Sequence, residues 1–216
     1  MRKANFAIGE HYHVYNRGVD NREVFSDIED YLRFLKSLRE FNRPHAIGSL
    51  FEQQHSRKMK EPIKNLGVQL PKIVEIVCYC LNPNHFHLIV KQVASSGVEK
   101  FMHRVSTGYT NYFNNKYKRS GSLFQGKYKF SHISSDEYLL YVSAYVNCNN
   151  EVHGISKAEA YRWSSFSEYL GKGNYSLCDK KIILEQFNNK QEYYNFAKTN
   201  LMVIKANKKA QKMALE

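Results

Sequence analysis

Ten residues, Leu81-Asn82-Pro83-Asn84-His85-Phe86-His87-Leu88-Ile89-Val90, constrain this chain more than any other stretch. An apolar run, Ile73–Leu81, meets an Asn-Pro-Asn turn signal, and a second apolar run, Leu88–Val90, follows at once. Two such runs around turn residues read as a hairpin. Side chains alternate along a strand, so His85 and His87 share one face and Phe86 takes the other. Two imidazoles side by side on a rigid strand make two-thirds of a metal site. The same pattern also suits a hairpin whose histidines sit on its polar face, because a two-histidine match is a weak motif. His11-Tyr12-His13 repeats the spacing earlier in the chain, so spacing alone does not choose between the pairs.

The rest of the chain places this hairpin in an order of elements. Tyr12-His13-Val14-Tyr15 alternates as far as Asn16-Arg17-Gly18 and reads as a first strand and turn. Ser26 or Asp27 caps a helix to about Phe41, with Ile28, Tyr31, Leu32, Phe34, Leu35 and Leu38 as its apolar stripe and Asn42-Arg43-Pro44 as its stop. Residues from about 53 to 70 are polar and aperiodic and read as a surface insertion. Its basic cluster, Arg57, Lys58, Lys60 and Lys64, suits a solvated loop as well as a DNA contact. Ile73–Leu81 and His85–Gln92 are the second and third strands. Ser95-Ser96-Gly97 opens a helix from about Val98 to Tyr117, with Phe101, Val105, Tyr109, Tyr112 and Phe113 as core candidates. Gly126–Phe130 reads as a fourth strand. Ser134-Ser135-Asp136-Glu137 then caps a helix to about Asn149, with acids in its first turn. Helical stretches near 179–188 and 190–203 and a basic tail follow. The order β-α-β-β-α-β within about 10–133 predicts an α+β, ferredoxin-like antiparallel sheet with helices on one face. The expected division is 6–154, carrying that core, and 155–216, a helical C-terminal extension.

A formal net charge of +12 and a pI of about 9.4 favour an anionic partner, nucleic acid first and an acidic membrane surface second. No apolar stretch is long enough to span a bilayer. The N-terminal residues lack the apolar core of a signal peptide, and four scattered cysteines do not make a disulfide framework. A reducing cytoplasm is expected. From Lys100 to Ser135 there are seven Lys or Arg, eight Phe or Tyr, and no acid. A solvated face usually mixes both signs, so this stretch points to a phosphate-facing surface with rings for bases.

No Ser-His-Asp signature, Gly-rich phosphate loop or Cys-x-x-Cys pair offers a nucleophile. Tyrosines are abundant, but a phenol has a pKa near 10 and attacks poorly without help from a metal or base. Tyr145 and Asn149 lie at i and i+4, on one face of their helix. An amide oxygen there would sit beside a phenol; Tyr138, Tyr141 and Tyr145 fit a core stripe equally well.

Taken together, several stretches are similar to the single-tyrosine HUH transposases of small bacterial insertion sequences, and especially to the REP-associated tyrosine transposases. They are Tyr12–Gly18, Asn82–Val90, Gly121-Ser122-Leu123-Phe124-Gln125-Gly126-Lys127-Tyr128, Tyr145-Val146-Asn147-Cys148-Asn149 and Trp163-Ser164-Ser165-Phe166. The match runs over about residues 8–170 in the expected order. The resemblance implies that His85, His87 and Asn149 bind the metal, not His11 and His13, and that Tyr145 is the nucleophile. It implies a single-stranded DNA endonuclease and strand transferase acting at inverted-repeat, REP-like hairpins. Mg²⁺ or Mn²⁺ would serve cleavage, a 5′-phosphotyrosine would form with a free 3′-OH, and rejoining would follow by transesterification without ATP. A homodimer is the implied assembly. The expected DNA contacts are Arg17, Arg104, Lys116, Lys118, Arg119, Gln125, Lys127 and Lys129. One departure is Asn150, where the family commonly has Pro, so the end of the tyrosine helix is expected to differ. The alternative is a non-catalytic single-stranded nucleic-acid-binding module of the same fold, with Tyr128 and Phe130 stacking on bases.

Overall fold

The turn at Pro83-Asn84 joins two strands of a four-stranded antiparallel sheet. Its strands are β1 (His11–Arg17), β2 (Val74–Asn82), β3 (His85–Gln92) and β4 (Lys129–Ile133), in the spatial order β2-β3-β1-β4. This computed structural model describes residues 6–48, 50, 71–172 and 176–213. The expected insertion at about 53–70 lies outside the described residues. No helix among the described residues is long and apolar enough to cross a membrane.

The two crossover helices are α1 (Ile28–Glu40) and α2 (Gly97–Lys116). Both take the face that carries Phe86: Phe34 of α1 meets Phe86 at 5.0 Å between ring centroids and Tyr109 of α2 at 4.9 Å. This is the expected ferredoxin-like arrangement. α1 starts at Asp27, whose side chain accepts from the Asp30 N–H while the Asp30 carboxylate reaches back to the Ser26 and Asp27 N–H groups. Such reciprocal capping satisfies donors that a helix start leaves unpaired. The buried stripe is Tyr31, Phe34, Leu35 and Leu38, while Ile28 and Leu32 face outward. Six apolar positions made too wide a stripe for a helix that touches the sheet along one narrow face.

After β4 come α3 (Asp136–Asn147), α4 (Asn149–Val152), α5 (Phe166–Tyr169), α6 (Lys181–Leu184) and α7 (Lys190–Met213). Ser135 caps α3 by accepting from the Tyr138 N–H. α3 lies on the second face of the sheet, and α7 packs on α3, with fully buried Tyr193 accepting from the Asn147 amide at 2.7 Å. The predicted helix to Asn149 breaks at Cys148, where ψ rises to 11°. β4 starts at Lys129 and not at Gly126, because Gly126 sits at φ +104° and turns the chain there.

The outer side of β2 is closed without another full strand. Ser165 takes the Tyr79 N–H and O, Trp163 O accepts from the Leu81 N–H, and the Tyr161 hydroxyl donates to Leu81 O. Asp179 N–H and the Tyr169 hydroxyl serve Ile76 O and Val77 O. Trp163 then stacks on Tyr31 at 4.3 Å, tying this segment to α1.

Candidate active site

The register of β1 and β3 decides what shares the second face. Tyr15 stands opposite His87, Arg17 opposite His85 and His13 opposite Ile89, so the odd-numbered side chains of both strands point to α3. On β2, Asn82 stands opposite His85 and Cys80 opposite His87. α3 brings Tyr145 over this patch, its ring edge-on to His87 at 5.5 Å and to His13 at 6.0 Å. Asn149 follows just after the helix break, fully buried.

His85 is held by a short contact. Its Nδ1 lies 2.6 Å from the Asn84 side-chain oxygen, which only accepts, so the proton sits on Nδ1. Nε2 is then a lone pair, 3.2 Å from the Asn149 Oδ1, and two acceptors face each other. The Asn82 amide nitrogen stands between them and donates to both, at 2.9 Å to His85 and 2.6 Å to Asn149. Asn149 Nδ2 is buried with no partner among the described residues. His87 Nδ1 is 2.8 Å from His13 Nε2, and the two rings stack at 5.0 Å. His153 meets His85 edge-on at 4.7 Å.

Burial disfavours the charged form of each imidazole. It brings His13 to about 4, and with His153 beside it His85 also to about 4. Burial, then the neighbouring His13 and His85, puts His87 well below the usual histidine range. All are neutral near pH 7, the form that ligates metals. Burial raises the Tyr145 phenol, with the Asn149 side chain acting against it, so Tyr145 rests protonated.

Among the described residues no group of three or more His, Cys, Asp and Glu side chains forms a metal site. A cation here needs amide oxygens beside the imidazoles. The facing lone pairs of His85 and Asn149 fit that requirement, and an amide oxygen suits a hard ion such as Mg²⁺ or Mn²⁺.

A cleft of about 600 Å³ opens onto these groups. Arg17, Gln125, Lys127 and Lys129 line it, as do Tyr15, His153 and Lys208 of α7. The other expected DNA contacts are not brought there. Lys116 bonds the α1 acids Asp27, Glu29 and Asp30 at 2.6–3.2 Å. Arg104 donates to the carbonyls of Arg43 and Pro44, and Arg119 to Asn114 and Ser122. Lys118 is exposed at the end of α2. Within the acid-free stretch, Lys116 thus finds its acids at the start of another helix. His11, of the rival pair, lies off this cleft beside Lys91 and Ile133. His13 and Asn82 were missed as site residues. In the sequence His13 stands out only as half of that pair, whereas strand alternation places it on the face of Tyr15. A two-residue turn at Pro83-Asn84 would have set Asn82 opposite His85.

Comparison with known proteins gives a family and a shared fold. The family profile of IS200-like transposases matches residues 42–149, half of the chain. Among solved structures, a REP-associated tyrosine transposase bound to a REP hairpin shares the fold. Its TM-score is 0.56 at 13% identity, over 82% of this chain and 88% of that one. No protein of curated function matches the sequence.

Proposed function

The chain belongs to the IS200-like transposase family, and on that premise we propose that it cleaves and rejoins single-stranded DNA at hairpins through a 5′-phosphotyrosine at Tyr145. The observation that carries this is the placement of Tyr145 over His87 and His13, beside the converging lone pairs of His85 and Asn149, in a basic cleft. The similar solved transposase is described as bound to a REP hairpin, and a hairpin of that kind is the substrate class proposed here.

Each residue has a role in the reading. Arg17, Lys127, Lys129 and Lys208 hold backbone phosphates along the cleft, and Gln125 adds a polar contact. The Tyr145 oxygen attacks phosphorus: a Tyr–O–P bond forms, the bond to the 3′ oxygen breaks, and that oxygen leaves as a 3′-OH. The phenol, neutral at rest, gives up its proton as it attacks. Attack of a 3′-OH on the phosphotyrosine reverses the step and joins strands, so no other energy source enters. His85, His87 and Asn149 would hold Mg²⁺ or Mn²⁺, which when bound stabilises charge on the transferring phosphoryl group. The competing reading, a base-stacking module built on Tyr128 and Phe130, has less support: Phe130 stands opposite Val14, on the face that carries the crossover helices, and meets Phe6 at 4.7 Å, whereas such modules stack bases on the open face.

The test is a denaturing gel after incubation with a 5′-extended hairpin and Mn²⁺. Wild type and Tyr141→Phe should give a covalent protein–DNA band. Tyr145→Phe, which keeps the ring and loses only the attacking oxygen, should give none. A band that persists in Tyr145→Phe refutes the assignment.

A further inference from the structure

We propose that Asn82 is itself a ligand of the divalent cation, through a side-chain amide that turns over when the cation binds. The inference rests on the reading that His85, His87 and Asn149 hold that cation. The starting observation is a triangle of polar atoms. Asn82 Nδ2, His85 Nε2 and Asn149 Oδ1 are separated by 2.9, 2.6 and 3.2 Å. A hard cation with bonds of about 2.0–2.1 Å in octahedral geometry sets neighbouring ligand atoms about 2.9 Å apart. The triangle therefore has the size of one coordination face. Two of its corners are acceptors, and the third is an N–H₂ group that no cation would tolerate.

Turning the Asn82 amide by half a turn about its last bond exchanges Nδ2 for Oδ1 at that corner and leaves the side-chain volume unchanged. The face then reads oxygen, nitrogen, oxygen. What opposes the turn is the partner at the other end of the amide. Among the described residues, Asn82 Oδ1 accepts only from the Cys80 thiol, at 3.6 Å. A thiol is a weak donor and its sulfur a weak acceptor, so it meets either end of the amide at similar cost. At the other end the preference reverses with occupancy. Without a cation the N–H₂ group satisfies two buried acceptors that would otherwise repel. With one, the carbonyl oxygen is attracted and the N–H₂ group repelled. Asn82 is fully buried and fixed by its cross-strand pairing with His85, so the amide has no other place to go.

The experiment is a titration of the full-length, DNA-free protein with Mn²⁺ alone, following the EPR signal of the free ion, with circular dichroism as a check on folding. Asn82→Leu, of similar size, should weaken Mn²⁺ binding by about tenfold or more. Asn82→Asp, which puts an anionic oxygen at the corner whichever way it turns, should bind more tightly than wild type. A purely structural role would weaken both. Unchanged binding in Asn82→Leu overturns the inference. So does tighter binding there, which would mean that the amide only blocks the site. If Asn82→Leu does not fold, Asn82→Asp decides alone, and binding no tighter than wild type overturns the proposal. A wild type that binds no Mn²⁺, with or without hairpin DNA, removes the metal reading and this inference together. Normal wild-type binding with indifferent variants removes this inference alone.

Discussion

His13 offers the sharpest test of how the site is held, because it acts on His87 and not on the substrate. Among the described residues the His87 side chain has one hydrogen bond, from Nδ1 to His13 at 2.8 Å, and it is almost wholly buried. For His87 Nε2 to offer a lone pair, Nδ1 must carry the proton and His13 Nε2 must accept it. His13→Ala removes that acceptor and leaves a buried N–H unpaired, which costs about 1–3 kcal/mol. It also removes the ring contacts with Tyr15, His87 and Tyr145, at 5.1, 5.0 and 6.0 Å. Aromatic pairs of this kind contribute about 0.5–1.5 kcal/mol each, and the three share one half-buried ring. Together a loss of about 2–4 kcal/mol is expected in urea unfolding. The larger effect should be on function. Removing the group that orients a metal-binding imidazole typically weakens metal affinity about 10–100-fold. Mn²⁺ titration should show that drop, and the rate of adduct formation at subsaturating Mn²⁺ should fall with it. His13→Gln, whose amide oxygen can accept the same proton, should recover most of the affinity. His11→Ala, two residues away and off the cleft, should change neither. Normal Mn²⁺ affinity in His13→Ala would refute the argument and leave His87 oriented by its packing alone.

Lys116→Met is expected to lower stability by about 1–3 kcal/mol by removing the cation from the fully buried Asp30 carboxylate, which keeps its hydrogen bonds from the Ser26 and Asp27 N–H groups and the Tyr117 hydroxyl; hairpin affinity by fluorescence anisotropy should not change, and a tenfold loss with stability intact would return Lys116 to the DNA surface. Lys127→Ala with Lys129→Ala should instead weaken hairpin binding and flatten its salt dependence by about two phosphate contacts, with unfolding unaltered; an unchanged salt slope would mean that these lysines do not meet phosphates. In the metal-free protein, stability should fall with acid. His85 holds its proton less well folded, at about 4, than at its ordinary 6.5, so the unfolded chain takes up more protons between those values. Stability is complete above about pH 6.5 and is lost as pH drops towards 4, by about 2 kcal/mol between pH 7 and pH 5 for His85 alone. Urea unfolding that is flat over this range, or that strengthens with acid, would contradict the buried neutral imidazole.

The elements that could be read in advance were those whose evidence is local. Alternation marks β1, apolar runs around an Asn-Pro-Asn turn mark β2 and β3, and cap residues mark the helix starts, so the sheet is legible down to the face shared by His85 and His87. Tyr145 and Asn149 stand out in the sequence only through the family pattern, because spacing gives several tyrosines equal standing. What escaped depends on contacts between distant segments. Nothing within Lys100–Ser135 shows that Lys116 is already paired, since its acids lie on α1. Ile28 and Leu32 looked like core because periodicity reports a face and not the width of the surface it meets. Two histidine pairs with equal spacing read as rivals in the sequence, whereas strand pairing sets His13, one member of the first, beside the second.

The closure of β2 by later residues also sets a timetable for the growing chain. Tyr79 N–H has its partner 86 residues further on, in Ser165. Leu81 O waits 80 residues for Tyr161, and Val77 O waits 92 for Tyr169. On a ribosome, β2 and β3 can zip at once, and β1 is already made. The outer row of β2 carbonyls and amides nevertheless stays open until that downstream segment emerges. Contacts of such sequence separation form late and slowly, and an unpaired strand flank is where another chain can add. The nascent protein is therefore most vulnerable after His85 and His87 have been synthesised and before Trp163 has reached Tyr31.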